Sequence, residues 1–196
     1  KPEQRRLLEL VNDNFDLGLE IPETLKLFQL SEQHRRLVVI NVQGGGSSAG
    51  IMAVKEKTAD IGLSSRELKQ DEKDLMEITV AYDGLAIIVH PSNSVNNLSI
   101  EQVRSIFAGE ITNWKILNST DKTITVVVRE EGSGTRGAFQ EMVMGQRRIS
   151  KKAIVEDSNG VVREIVSRDE NSIGFISLGL VNDRVKAIAL EGVRPS

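Results

Sequence analysis

The chain has 196 residues, of which 39% are hydrophobic, so it can form a buried core in one domain or in two small ones. Its 25 basic and 28 acidic residues give a net charge of -3, which excludes a general electrostatic attraction to nucleic acid or to an acidic membrane surface. The absence of cysteine excludes disulfides, thiol catalysis, cysteine-bound metals and a cysteine lipid anchor within this sequence.

No run of residues approaches the ~20 apolar residues of a membrane span. The charged start of the chain, residues 1–6, is not typical of a secretory signal. Three origins stay open on these grounds: a cytosolic protein, an exported protein in its natural mature form, or an exported protein artificially trimmed of its leader.

The first 36 residues carry no ligand-binding motif. Residues 3–11 and 23–36 are predicted to form helices, and Pro22 suits the first turn of the second helix. The β-branched run that follows, at 37–42, is predicted to form a buried strand.

Two loops of the same chemistry each follow an apolar strand and precede a helix. The first loop is Gly-Gly-Gly-Ser-Ser-Ala-Gly at 44–50, and the second loop is Gly-Ser-Gly-Thr-Arg-Gly at 132–137. Glycine lets backbone N–H groups approach a ligand closely, Ser and Thr add hydroxyl donors, and a helix N-terminus adds a positive dipole end. Two such loops facing one cleft would enclose a small oxyanion.

Strands and helices alternate along the rest of the chain. Ser99 is a good N-cap for a helix at 100–107, and residues 158–160 open another helix. The alternation predicts an α/β fold with helices on both faces of a sheet, and a ligand at the carboxyl ends of the strands, where both loops fall. The predicted strands are 37–42, 124–128, 173–178 and 185–190, the apolar runs are 78–82 and 85–90, and the predicted helices are 51–58, 100–107, 138–144 and 161–167.

Five motifs of the sequence occur together in one known family. They closely resemble, in order and spacing, the phosphate-binding proteins of bacterial high-affinity phosphate ABC importers, which are type II periplasmic binding proteins. The resemblance covers about residues 37 to 194. The motifs are VQGGGSSAG at 42–50, ADIGLSSR at 59–66, AYDG at 81–84, IFAGEITNW at 106–114 and REEGSGTR at 129–136.

The resemblance implies an α/β fold of two lobes joined by hinge strands, with phosphate held between the lobes. Residues 1–82 and 180–196 would form the first lobe, in which 1–36 are atypical, and residues 83–179 would form the second lobe. The family's opening strand and its Gly-Ser-Thr-Ser-like loop have no counterpart in 1–36, and its usual C-terminal segment has none after Ser196. An incomplete first lobe and weak binding are therefore expected.

The resemblance also implies the ligand-binding residues. Hydroxyl and backbone N–H donors with a single arginine suit a dehydrated phosphate, whose oxygen atoms need matched donors. Glu131 is expected to hold Arg129 in place. Many members have Asp where this chain has Ser65, which leaves open how the proton of the ligand is recognised. The expected ligand-binding residues are Ser47, Ser48, Ser65, Arg129, Ser133, Gly134 and Thr135, and the further candidates are Gly46, Arg66, Asp83, Glu131 and Arg136.

The implied function is an extracytoplasmic solute-binding protein, in the periplasm or at the cell surface, that captures inorganic phosphate for the membrane permease of an ABC importer. The expectation is a monomer without cofactor, metal, nucleic acid or membrane insertion. A receptor for another tetrahedral oxyanion such as sulfate stays open, and so does a degenerate module that binds nothing. An enzyme that uses the second loop as a phosphate cradle is disfavoured, because the loop lacks a Walker lysine and neither His34 nor His90 has a recognisable catalytic partner.

Overall fold

A computed structural model describes residues 9–10, as backbone, and residues 41–195. The strands are β1 (Glu9–Leu10), β2 (Ile61–Gly62), β3 (Leu85–Val89), β4 (Asn97–Leu98), β5 (Thr125–Arg129), β6 (Ile154–Glu156), β7 (Ser172–Ser177), β8 (Lys186–Ala187) and β9 (Ala189–Leu190). The helices are α1 (Gly46–Lys55), α2 (Ile100–Ala108), α3 (Gly134–Phe139) and α4 (Asn159–Arg168). Turns of 3₁₀-helix lie at Gln70–Glu72, Trp114–Leu117 and Leu178–Leu180, and a π-helical turn at Gln140–Met144 extends α3.

The main sheet has five strands in the order β6-β5-β7-β3-β8. Strand β5 is parallel to β6 and β7, whereas β3 is antiparallel to β7 and β8. At the carboxyl ends of β5 and β6, Arg129 pairs with Glu156. The second loop, which follows β5, therefore lies beside the residues that follow β6.

Successive residues of β3 enter two different cores, as the two-residue period of a strand requires. Ile87 packs in a core that includes residues of α2 and α3, and Ile88 packs in a core that includes residues of α4. In the first of these cores, the rings of Phe139 and Phe175 stack with their centroids 4.1 Å apart. The prediction of an α/β fold with helices on both faces of a sheet is confirmed.

Helix α2 has the ends that its sequence predicts. The Ser99 hydroxyl accepts a hydrogen bond from the Gln102 N–H at 3.0 Å, and the Gln102 side chain accepts one from the Ser99 N–H at 2.8 Å. This reciprocal capping box satisfies two N–H groups that the helix leaves without partners. Gly109 ends the helix in the left-handed region, with φ 81°.

Several predicted elements are shifted. Helix α1 begins inside the first loop, where we expected its start at residue 51, because the small residues of the loop form its first turn. The predicted helix at 138–144 corresponds to the end of α3 and its π-helical turn. The run at 185–190 is divided into β8 and β9 by the buried Ile188, and the run at 78–82 is exposed and forms no strand.

The helix prediction for residues 3–11 is wrong at its end. Residues 9 and 10 form β1, which pairs in parallel with β2, and such pairing requires an extended backbone. The remainder of that helix, the helix at 23–36 and the strand positions 37–40 lie outside the described residues. Residues 41 and 42 are described and belong to no strand.

The proposed division into two lobes stays a prediction. Helix α1 and β2 both belong to the predicted first lobe, and they pack so closely that a Cβ atom at Gly62 would lie 2.5 Å from the carbonyl oxygen of Gly50. The predicted first lobe also included residues 180–196. Within that range, however, β8 pairs with β3 and β9 pairs with β4, which are both strands of the predicted second lobe.

Candidate functional site: two helix N-termini in contact

The first side of the site is the N-terminus of α1. Gly46 opens the helix with φ 76°, a value that a side chain disfavours, and its α-carbon lies against the second loop. Ser47 is fully buried, and its hydroxyl oxygen accepts a hydrogen bond from the Ser65 N–H at 3.0 Å. The N–H of Ser48 donates to the carbonyl oxygen of Gly132 at 3.2 Å. The first loop is thus joined directly to the second.

The second side is the N-terminus of α3. Its N-cap is Ser133, whose buried hydroxyl accepts a hydrogen bond from the Arg136 N–H at 3.3 Å. A Cβ atom at Gly134 would lie 2.1 Å from Ser47 Oγ and 3.1 Å from Ser65 Cβ, so no side chain fits there. The structure therefore brings together the hydroxyl-bearing residues that the sequence predicted from both loops.

Arg129 lies at the end of β5 with a fully buried side chain. Its Nε and Nη2 atoms donate to the two carboxylate oxygens of Glu130, each at 3.1 Å. The same side chain donates to the carbonyl oxygen of Glu156, the last residue of β6, at 3.3 Å. It also donates to the carbonyl oxygen of Asp157, the next residue, at 2.7 Å. Glu130 and the residues at the end of β6 thus hold the guanidinium in place.

The expected role of Glu131 is corrected. We predicted that Glu131 holds Arg129, but Glu130 does so, and Glu131 is exposed with a carboxylate oxygen 3.6 Å from Arg136 Nη2. A turn closed by the Ser133 N–H and the Glu130 carbonyl oxygen begins at this point, and it directs Glu131 outward. Arg136 is itself engaged with the backbone, since Nη1 donates to the Arg129 carbonyl oxygen at 2.6 Å.

Arg66 forms a nearly buried ion pair with Glu72. Its Nη1 and Nη2 atoms lie 2.7 and 2.9 Å from the two Glu72 carboxylate oxygens, and both side chains are about nine-tenths buried. The hydrogen bonds from Arg66 lower the pKa of Glu72 to about 2, and the Glu72 carboxylate raises the pKa of Arg66. The stem of Arg66 packs on α3, because a Cβ atom at Gly137 would lie 3.0 Å from Arg66 Cδ. The guanidinium of this candidate residue is therefore engaged by Glu72, and its stem packs against α3.

Asp83 makes a local contact. Its carboxylate accepts a hydrogen bond from the next N–H, that of Gly84, at 2.8 Å, and the residue is exposed. This is the behaviour of a turn residue.

The sequence did not single out Glu130 or Asn159. Asn159 is fully buried at the start of α4, and its Nδ2 atom donates to Thr135 Oγ1 at 3.3 Å. The sequence marked residues 158–160 only as a helix start. The signal that could have identified Asn159 is its position: it follows β6, which runs parallel to β5, so both strands deliver their next residues to the same edge of the sheet.

The site is suited to binding a small anion. Two helix N-termini meet, and each carries a positive partial charge and backbone N–H groups. Hydroxyl groups and one buried arginine lie beside them, and the Glu130 carboxylate offsets part of the arginine's charge. Within residues 41–195, no three His, Asp or Glu side chains are grouped to hold a metal ion, and no helix has the length and apolar character to cross a membrane.

The fold and this pair of loops define a class of protein. The family model described as the PBP superfamily domain matches residues 24–193, and the chain therefore belongs to the PBP superfamily. This confirms the fold expected from the motifs.

Within that class, the chain is similar to phosphate-binding proteins. It is 37% identical to a putative phosphate ABC transporter substrate-binding protein from Clostridium perfringens, solved with bound phosphate, at a TM-score of 0.85 that covers 96% of this chain and 77% of that one. It is 35% identical to an ABC-type phosphate transport receptor from Vibrio cholerae, at a TM-score of 0.73 that covers 96% of this chain and 78% of that one. These similarities confirm the resemblance drawn from the sequence.

Among curated relatives, the chain is 36% identical over 161 residues to the phosphate-binding protein PstS of Bacillus subtilis. The match covers 80% of this chain and 53% of that protein. The chain thus spans about half the length of the curated relatives it matches. These relatives are named as binding proteins and not as enzymes.

Proposed function

We propose that this chain captures inorganic phosphate between the first and second loops, outside the cytoplasm, and supplies it to the membrane permease of an ABC importer. The observation that carries the proposal is the direct contact of two glycine-serine helix N-termini beside the buried Arg129. The named relatives support the same ligand and the same transport role.

The physical reason lies in the desolvation of the ligand. A phosphate dianion that leaves water needs a hydrogen-bond donor for nearly every oxygen lone pair. The hydroxyls of Ser47, Ser65, Ser133 and Thr135, together with backbone N–H groups of the two loops, would supply neutral donors, and Arg129 would supply the charge. Neutral donors bind the anion without adding a second cationic side chain to the site.

We do not expect this site to catalyse a reaction. A phosphotransferase or phosphatase would need a nucleophile with its base, or a metal that activates water. The pair formed by His90 and Ser92, with Nδ1 2.7 Å from Oγ, lies in an exposed turn whose Ser92 N–H also bonds to the same ring nitrogen. That arrangement is a turn and not a catalytic dyad in a cleft.

The test is calorimetric titration of the chain with phosphate, sulfate, a phosphate monoester and a dicarboxylate, with turnover of the monoester followed in parallel. We expect saturable binding of phosphate, weaker or no binding of the other anions, and no turnover. Bound phosphate should also raise the unfolding free energy by about 2.7 kcal/mol at a hundredfold excess over Kd. Tighter binding of sulfate would make the chain a receptor for another oxyanion, and no binding of any anion would favour a degenerate module.

A further inference from the structure

The Thr135 hydroxyl is buried with its proton uncommitted. Thr135 is only 4% exposed, and it is the second residue of α3. Its oxygen accepts a hydrogen bond from Asn159 Nδ2, but among residues 41–195 the hydroxyl donates to no group. A hydroxyl is at once a donor and an acceptor, and a buried donor without an acceptor is costly. This proton therefore calls for an acceptor that the described residues do not supply.

Capping of α4 does not account for the buried side chain of Asn159. The N-cap of α4 is Ser158, whose hydroxyl accepts from the Val161 N–H at 3.1 Å, so Asn159 is not needed to cap the helix. Its Oδ1 atom has no hydrogen-bond partner within the described part of the chain. Burying an amide without hydrogen bonds costs free energy at both its donor and its acceptor. In Asn159 the donor is bonded, to Thr135 Oγ1.

The direction of the hydrogen bond from Asn159 to Thr135 decides which groups the Thr135 hydroxyl can donate to. The N–H of Asn159 occupies one lone pair of Thr135 Oγ1, so the hydroxyl proton cannot point at Asn159. The proton is therefore available to an acceptor on another side of Thr135. Gly134 next to it touches Ser47 and Ser65, and the end of β6 that leads to Asn159 also holds Arg129 through the Asp157 carbonyl oxygen.

We propose that Asn159 is a positioning residue of the anion site, which fixes the Thr135 hydroxyl as a donor to the bound anion. The inference rests on the proposed function, since the acceptor it assigns to Thr135 is an oxygen of phosphate. An uncharged amide does this without adding negative charge to the site. Its isostere aspartate would reverse the bond, because a carboxylate accepts and would take the Thr135 proton for itself.

The test is a double-mutant cycle on phosphate affinity, measured by calorimetry with Asn159→Ala, Thr135→Val and the double variant. Thr135→Val keeps the shape of the side chain and removes the hydroxyl, and we expect about tenfold weaker binding. Asn159→Ala alone should weaken binding by about threefold to tenfold. In the Thr135→Val background, Asn159→Ala should change the affinity by less than about twofold, because the group it orients is gone.

Two further variants separate positioning from folding. Ser158→Ala removes the cap of the same helix and should lower the melting temperature while leaving phosphate affinity within about twofold. Asn159→Asp preserves the packing and should weaken phosphate binding more than Asn159→Ala does. Full additivity in the cycle, or unchanged affinity in Asn159→Asp, would overturn the positioning role while leaving the proposed function standing. Failure of the unaltered chain to bind phosphate would overturn both.

Discussion

The two loops meet at one point, yet they are built differently. Helix α1 begins at Gly46 with no side-chain cap, whereas α3 begins with the Ser133 hydroxyl bonded to the Arg136 N–H. The first loop contains no charged residue, and the second loop is entered through Arg129, which Glu130 and the end of β6 hold in place. The charged side chain and the capped helix start thus belong to the second loop, and the first loop contributes only small, uncharged residues.

This difference between the two loops has a physical basis. A long charged side chain costs conformational entropy to fix, and the sheet can fix it because β5 and β6 pair side by side up to Arg129 and Glu156. Helix α1 lies beyond the main sheet and approaches α3 through glycines and short hydroxyl side chains, which leave room for backbone contact. Changes in the second loop should therefore remove attraction for the anion, and changes at the contact should separate the two loops.

The largest expected effect comes from the charge. Arg129→Ala should weaken phosphate binding by on the order of 100-fold or more, because the bound anion would face only neutral donors and the Glu130 carboxylate, whose charge would no longer be offset. Arg136→Ala should cost much less, since that guanidinium reaches the Arg129 carbonyl oxygen and the exposed Glu131. Calorimetry with phosphate measures both variants.

The controls for this prediction separate binding from folding. Arg184→Ala removes an exposed arginine, 2.8 Å from Glu164, and should leave phosphate affinity unchanged. Arg129→Gln fills much of the buried volume without the charge and should lose affinity as Arg129→Ala does. Equal losses from Arg129→Ala and Arg136→Ala would contradict the distinction between an arginine that binds the anion and one that binds the backbone.

The next effect comes from the contact between the loops. Gly134→Ala would place a methyl group 2.1 Å from Ser47 Oγ, and we expect the overpacking to cost about 2 kcal/mol, or roughly 30-fold in phosphate affinity. Gly132→Ala is a matched control, because a Cβ atom there would meet nothing within 4 Å. Equal affinities of the two variants would show that the loops need not touch when phosphate binds.

The sequence predicts local structure well where one signal dominates. Ser99 and Gly109 bound α2 because a capping hydroxyl and a left-handed glycine act within one turn of the chain. The pairing of the two loops was also predicted, since both carry the same donors and both were expected to follow strands, although residues 41 and 42 belong to no strand. The start of α1 was missed by five residues, because glycine and serine suit a loop and the first turn of a helix equally well.

Contacts that depend on the direction of a turn or on the pairing of strands could not be predicted in the same way. Whether Glu130 or Glu131 holds Arg129 depends on the direction of a single turn, and both residues have the same chemistry. The use of Asn159 depends on the parallel pairing of β5 and β6, which no local pattern reveals. Arg66 was a candidate for the anion, and its engagement by Glu72 depends on the 3₁₀ turn six residues later.

The ion pair between Arg66 and Glu72 makes the free energy of unfolding depend on pH in acidic solution. The pKa of Glu72 is lowered from 4.5 to about 2 in the folded chain, so the pair stabilises the fold fully above about pH 4.5. Its contribution should be lost as the pH falls from about 4.5 toward 2, since the unfolded chain takes up the proton first. Urea unfolding at several pH values should show a smaller acid dependence in Glu72→Gln than in the unaltered chain. An identical dependence in both would assign the acid sensitivity to other carboxylates.

The smallest effect concerns how each helix begins. Ser133→Ala removes the cap of α3 and should lower the unfolding free energy by about 1 kcal/mol. Ser48→Ala, in the first turn of the uncapped α1, should change it by less than about 0.5 kcal/mol. Both are measured by urea unfolding without phosphate, so that any loss of ligand contacts does not enter. If Ser48→Ala were as destabilising as Ser133→Ala, the first loop would depend on its hydroxyls for its fold as much as the second does, and the two loops would differ in charge alone.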